Sequence, residues 1–184
     1  MDKRAERSRE ILLGAARTVL FASGLSGLTH LAVARESGLG RKTVYRHFPD
    51  RITLLQATLS TAEYPRAKRT GHLRRDLRAH LESLRAALTN GPLAFVVAAL
   101  AEAATVEPEL RPLWDQLATE GCAPLRELLE DAKADGQLPT SLDVERAQAS
   151  LEGPLFYRAL VSGRPISKRS VTSLVDDFLA QHDT

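Results

Sequence analysis

Residues 8–22, SREILLGAARTVLFA, set apolar side chains at positions 11, 12, 15, 16, 19 and 20. Recurrence every three to four residues predicts one amphipathic helix. SGLSG at 23–27 ends it, with glycine supplying the left-handed backbone a helix end favours. A second short helix, HLAVARES, follows Thr29 as its N-cap, and Gly38 breaks it. A third runs from about Gly40 to His47, with Val44 and Phe48 turned inward and Leu39 plugging the turn against Val33 and Ala34. Pro49-Asp50 then punctuates, and Asp50 caps a fourth helix starting near Arg51. Three short helices within about fifty residues, the last two joined by a tight glycine turn, make helix-turn-helix spacing.

The remaining pattern is also helical. No stretch alternates apolar and polar positions with β-branched enrichment, so no strand is predicted. Residues 52–63 continue the fourth helix, and Pro65 and Gly71 mark a junction. Gly91-Pro92 and Glu107-Pro108 each end one helix and start another. The second of these opens a long helix to about Asp135, capped by Gly136. Asp143 starts a helix reaching about Ser162, stopped by GRP at 163–165, and Ser167 caps a last helix to about Gln181. Gly121 and Pro124 should bend or break the long helix near residues 120–123. Gly153, before Pro154, would let another backbone approach closely. The fold class is therefore all-α, about nine helices. A helix-turn-helix head at residues 1–51 precedes a larger helical domain at 52–184.

Charge sharpens this division. Residues 1–51 hold ten Lys/Arg and five Asp/Glu, while the rest holds fifteen and eighteen, so a net +5 head joins a −3 body. Such asymmetry suits a polyanion-binding head on a body with another job. The predicted third helix presents Gly40, Arg41, Lys42 and Thr43 at its start, with Tyr45, Arg46 and His47 further along. A helix N-terminus favours phosphate, and Arg or Lys there can reach base edges in the major groove. A charge run by itself is ordinary solvated surface; here it sits at a helix start, behind a glycine turn, on a chain whose body is acidic.

The segment LTHLAVARESGLGRKTVYRHFPDRITLL, residues 28–55, resembles the DNA-binding head of the TetR (tetracycline-repressor-like) family, and the likeness covers residues 8–55. The resemblance implies roles for individual residues. Thr29 matches a threonine that binds phosphate, and Arg41, Lys42 and Thr43 match base-reading and phosphate positions. Tyr45 and His47 match positions that touch the DNA backbone. Arg51 matches a lysine that clamps a phosphate at the start of the fourth helix. Gly40 stands where the family usually has a capping Ser, and Lys42 where Gly is common, so sequence preference does not carry over. Arg4 and Arg7, read as part of a flexible arm, could enter the minor groove or touch phosphates.

The resemblance also implies a homodimer on a two-fold symmetric double-stranded operator, and a repressor released by a small-molecule effector. The last two helices are the dimer candidates: Leu151, Leu155, Phe156, Leu160 and Val161, then Val171, Leu174, Val175, Phe178 and Leu179, cover more than one stripe. Phe95, Trp114, Leu117, Cys122, Phe156 and Tyr157 are candidate lining residues for an effector cavity. Residues 102–152, with twelve acids and four bases, read first as a solvated acidic surface. His72, Asp76 and His80 share one helical face, but three ligands on one helix subtend a poor tetrahedron, so no metal or other cofactor is expected. Cys122 reads as a small buried residue rather than a redox sensor. No nucleophile elbow, phosphate loop or His-Glu metal helix is present, so no enzyme is expected. A ligand-independent DNA-binding or architectural protein is the alternative function. With no membrane-length apolar run, no signal-type segment and a single cysteine, the expected location is the cytoplasm.

Overall fold

The computed structural model describes residues 3–60, 69–90 and 93–182. Among them are nine α-helices and no strand: α1 (Lys3–Gly27), α2 (His30–Ser37), α3 (Arg41–His47), α4 (Arg51–Leu59), α5 (Leu73–Asn90), α6 (Leu93–Val106), α7 (Arg111–Ala134), α8 (Val144–Phe156) and α9 (Lys168–Gln181). A 3₁₀ turn at Pro108–Leu110 precedes α7, and a π-helical turn at Tyr157–Ser162 continues α8. The expected helix over 61–63, Pro65, and the Gly91-Pro92 junction lie outside the described residues.

Local chemistry accounts for most of the boundaries. Thr29 Oγ1 accepts the Ala32 N–H at 3.1 Å, and Asp50 Oδ1 accepts the Thr53 N–H at 2.7 Å. Asp143 and Ser167 cap α8 and α9 in the same way, each bond at 3.1 Å. Each cap satisfies an N–H that the helix leaves unpaired and contributes about 1 kcal/mol. Gly38 ends α2 at φ 69°, ψ 6°, a conformation that disfavours any residue with a Cβ.

The contacts divide the described residues into two compact units. One holds residues 3–60 and 95–117, the other 69–90, 93–94 and 118–182, so α6 and α7 each contribute to both. In the first, α1 packs on α2 and α4, and α2 on α3. Its core includes Leu12, Leu20, Leu28, Val33, Val44, Phe48, Leu54 and Leu55, all buried, whereas Leu39 is only half-buried. In the second, α5 packs on α8 and α9 around Leu77, Leu81, Leu125, Leu129, Leu151 and Val175.

Two sequence expectations differ from the structure. First, α1 begins at Lys3, so Arg4 and Arg7 are exposed positions on a helix, not parts of a flexible arm. Ala5, Glu6, Arg7 and Arg9 are good helix formers, and Glu6 in the first turn suits the helix dipole. Second, α7 is not broken: it is helical from Arg111 to Ala134 with Pro124 buried inside it. Proline costs a helix about 3 kcal/mol, but Leu125, Leu128 and Leu129 lie in the core, and each buried leucine contributes about 1.5–3 kcal/mol. Packing outweighs the breaker. Among the described residues, nothing lies within 4 Å of a Cβ placed on Gly153, which leaves room there for the backbone of another chain. Its side of α8 is open.

Candidate nucleic-acid interface

The candidate site is built on α2 and α3. Val44 and Phe48 bury the inner face of α3 against α2, which turns Arg41, Lys42, Tyr45 and Arg46 outward, with Thr43 half-buried. Among the described residues, the side chains of Arg41, Lys42 and Arg46 make no hydrogen bond or ion pair. Gly40 is the N-cap of α3 and offers no side-chain bond. The start of α3 thus carries unpaired backbone donors and two unengaged cations. Thr29 is exposed, and its hydroxyl, which accepts from Ala32, still has its own proton to donate.

Three residues sit differently from a simple row of DNA contacts. Tyr45 stacks on His30, with ring centroids 4.1 Å apart and planes 3° from parallel. His30 is buried, and its Nε2 lies 2.7 Å from the Phe48 carbonyl. His30 is a residue the sequence reading missed; a polar ring opening an otherwise apolar helix face was the only signal. His47 is half-buried, and its Nε2 is buried with no partner. Burial, then the neighbouring Arg46 and Arg9, hold its pKa below the usual histidine range. The neutral ring brings no positive charge to a phosphate near pH 7. Arg51 points its guanidinium within its own unit: Nη2 donates to the Leu25 carbonyl and Nη1 to Glu107, both at 3.2 Å. It ties α4 to the end of α1 and to the turn before α7.

Further contacts brace this head. Arg9 of α1 lies over the Phe48 ring, 5.9 Å from its centroid. Gly24 breaks α1 at φ 71°, and a Cβ there would meet Phe95 Cζ at 3.0 Å. Only glycine meets both the positive φ and the close approach.

A helix-turn-helix with free cations at the start of its second helix is the geometry of a major-groove reader. The family model for bacterial regulatory proteins of the tetR family matches residues 12–58, and that for the tetracyclin repressor-like C-terminal domain matches residues 67–178. The chain belongs to the TetR family. It is a DNA-binding transcriptional regulator. YdeS of Bacillus subtilis (strain 168), an uncharacterized HTH-type transcriptional regulator, is 26% identical over 178 residues, 94% of this chain and 88% of YdeS. SrpR of Pseudomonas putida, an HTH-type transcriptional regulator, is 38% identical over 61 residues; that match spans 33% of this chain and 29% of SrpR. Among solved structures, the TetR family transcription regulator SCO0332 superposes with a TM-score of 0.77 at 28% identity, over 94% of this chain and 97% of that one.

The candidate effector residues of this TetR-family chain are split between its two units. Phe95, Trp114 and Leu117 lie in the first; Cys122, Phe156 and Tyr157 lie in the second. Leu117 is buried, Trp114 half-buried, and Phe95 exposed beside Gly24. Phe156 packs partly on the core of the second unit, while Tyr157 is 60% exposed. The half-buried Cys122 has its thiol pushed above the usual range by burial and by Glu152. Its carbonyl accepts from Gln148 Nε2 at 2.7 Å. The second Gln148 contact, at 3.3 Å, is to Glu152 Oε2, and Glu152 Oε1 lies 3.0 Å from His80 Nε2. This buried set of His80, Gln148 and Glu152 joins α5 to α8 and was not foreseen.

The face of His72, Asp76 and His80 is put to other uses. The Asp76 carboxylate accepts the N–H groups of Thr70 and Gly71 and the Thr70 hydroxyl. Burial pushes its pKa up, but those bonds together hold it below the usual carboxylate range. Among the described residues, no three His, Cys, Asp or Glu side chains lie together as a metal site needs.

All five apolar residues named for α9 pack on their own core, Leu174 and Leu179 partly. From α8 to α9, the large apolar residues left exposed are Tyr157, Leu160 and Val161 on the π-helical turn, with Val161 70% exposed. Beside it Gly153, Pro154, Tyr157, Arg158, Ser162 and Arg164 line an open groove of about 710 Å³. Among the described residues, no single helix is long and apolar enough to cross a membrane.

Proposed function

We propose that the chain is a cytoplasmic homodimeric repressor. It reads a two-fold symmetric operator through α3 and leaves it when a small-molecule effector binds the larger helical domain, residues 52–184. The observation that carries the reading is the outward row of Arg41, Lys42, Tyr45 and Arg46, with its cations unengaged, behind the Gly38 turn. Arg41 and Lys42 read bases or meet phosphates with Gly40 and Thr43 at the helix start, and Thr29, Tyr45, Arg46 and His47 meet the backbone. Arg51 reaches a phosphate only by sharing or leaving Glu107. The exposed Tyr157, Leu160 and Val161 beside the open Gly153 side of α8 suit a second copy, since small and apolar surface lets helices pack closely.

The test is selection of bound duplexes from a random pool by the purified protein at two salt concentrations. Enrichment of a symmetric site supports a dimeric reader. Salt-sensitive binding with no enrichment supports a non-specific binder. Arg41→Ala and Lys42→Ala then separate roles. Loss of preference at one base pair marks base reading, and an even loss with a shallower salt slope marks a phosphate contact.

A further inference from the structure

Tyr45 is the one Tyr, Phe or Trp in α3, and one face of its ring is covered. One face lies flat on His30, centroids 4.1 Å apart and planes 3° from parallel. His30 is itself fastened. A carbonyl only accepts, so the 2.7 Å contact with Phe48 O requires the proton on Nε2. Phe48 follows the last residue of α3. A single imidazole, rooted at the start of α2, therefore holds the end of α3 and the plane of Tyr45 one turn earlier.

A ring that merely filled the core would be buried, yet Tyr45 is 45% exposed while His30 beneath it is 8% exposed. The buried partner holds, and the exposed one is presented. Thr29, immediately before His30, keeps a hydroxyl proton to donate.

We propose that His30 is a positioning residue for DNA recognition. It locks the Tyr45 ring so that its hydroxyl meets a backbone phosphate beside the start of α2. A phenol free to rotate loses that freedom when it docks, and this restriction weakens binding. Stacked on His30, Tyr45 is ordered before DNA arrives. The inference rests on the reading of α3 as the DNA-contacting helix.

The experiment uses the full chain and the duplex enriched in the selection above. Affinities are measured for His30→Ala, Tyr45→Phe, the double variant and His30→Phe. Tyr45→Phe and His30→Ala each weaken binding roughly tenfold, the scale of one lost polar contact or one lost aromatic pair. In the Tyr45→Phe background, His30→Ala adds almost nothing, because the hydroxyl it positioned is gone. A role in general stability would instead lower affinity equally in both backgrounds. His30→Phe keeps a flat ring under Tyr45 but loses the donor to the Phe48 carbonyl, so it restores part of the affinity, and it keeps the test open where His30→Ala fails to fold. In the DNA-free protein, the Tyr45 ring protons are shifted upfield by the imidazole in proton NMR, and His30→Ala removes that shift. Losses that multiply in the double variant, or a His30→Phe variant as weak as His30→Ala, overturn the positioning role and leave the DNA-binding reading standing. A wild-type chain that binds no duplex overturns the reading itself, and this inference with it.

Discussion

The buried pair of His80 and Glu152 allows a sharp energetic test. Their side chains are 7% and 8% exposed with 3.0 Å between Nε2 and Oε1, and Gln148 engages the other carboxylate oxygen at 3.3 Å. His80→Leu removes one partner and leaves an acidic group in the core with a single weaker bond. Leaving a buried polar group short of its partner costs about 1–3 kcal/mol, because that group keeps its desolvation penalty. For a chain of 184 residues, each kcal/mol moves the melting midpoint by about 2–4 °C, so the expected drop is on the order of 5 °C. Glu152→Gln keeps an acceptor for His80 but turns its amide N–H toward the Gln148 donor, so it should cost about the one bond Gln148 loses, about 1 kcal/mol. The double variant His80→Leu/Glu152→Leu strands neither partner. Gln148 still donates to the Cys122 carbonyl at 2.7 Å, so the double change should cost only about 1 kcal/mol for its second bond. The assay is thermal melting followed by far-ultraviolet circular dichroism, with Trp114 fluorescence recorded beside it. The single tryptophan lies in the other compact unit, so fluorescence shows whether that unit melts with the first signal. A double variant no more stable than His80→Leu would refute the reasoning, since the penalty would then come from lost packing rather than from a stranded carboxylate.

Three further outcomes follow from the geometry. Glu107→Gln should change stability by less than about 1 kcal/mol, as exposed ion pairs do, yet tighten operator binding, because it removes a competitor for the Arg51 guanidinium; unchanged affinity in a filter or anisotropy assay would count against a phosphate role for Arg51. His47 has a folded-state pKa below its ordinary value of about 6.5, so as pH falls through that value the unfolded chain takes up a proton the head does not. Stability is then fully present above the ordinary value and declines toward the folded one, and melting His47→Gln across that range should show a shallower acid loss than the wild type. Val161→Asp, at a 70% exposed position, should leave the far-ultraviolet circular dichroism spectrum nearly unchanged while shifting the protein toward monomer in analytical ultracentrifugation; an unchanged dimer would move the interface elsewhere.

The helices of the head were legible because their causes are local. Thr29 and Asp50 reach N–H groups three residues on, and Gly38 supplies the positive φ that ends α2, so cap, pattern and breaker coincide within a few positions. The exposed cations of α3 were legible for the same reason: burying Val44 and Phe48 forces the opposite face outward. Where a local signal competed with long-range burial, burial decided. Pro124 reads as a bend or a break, yet α7 runs through it unbroken because the leucines that follow are held by the core. The side-chain pairings were decided by tertiary structure alone. Arg51 meets Glu107 across 56 positions, and His80 meets Glu152 across 72. His30 reaches Phe48 across only 18, but through a fold of the chain that no periodicity encodes. Hydrophobic spacing specifies which face of a helix is buried; which polar groups meet beneath it depends on how the helices pack, and that information is distributed over the whole core.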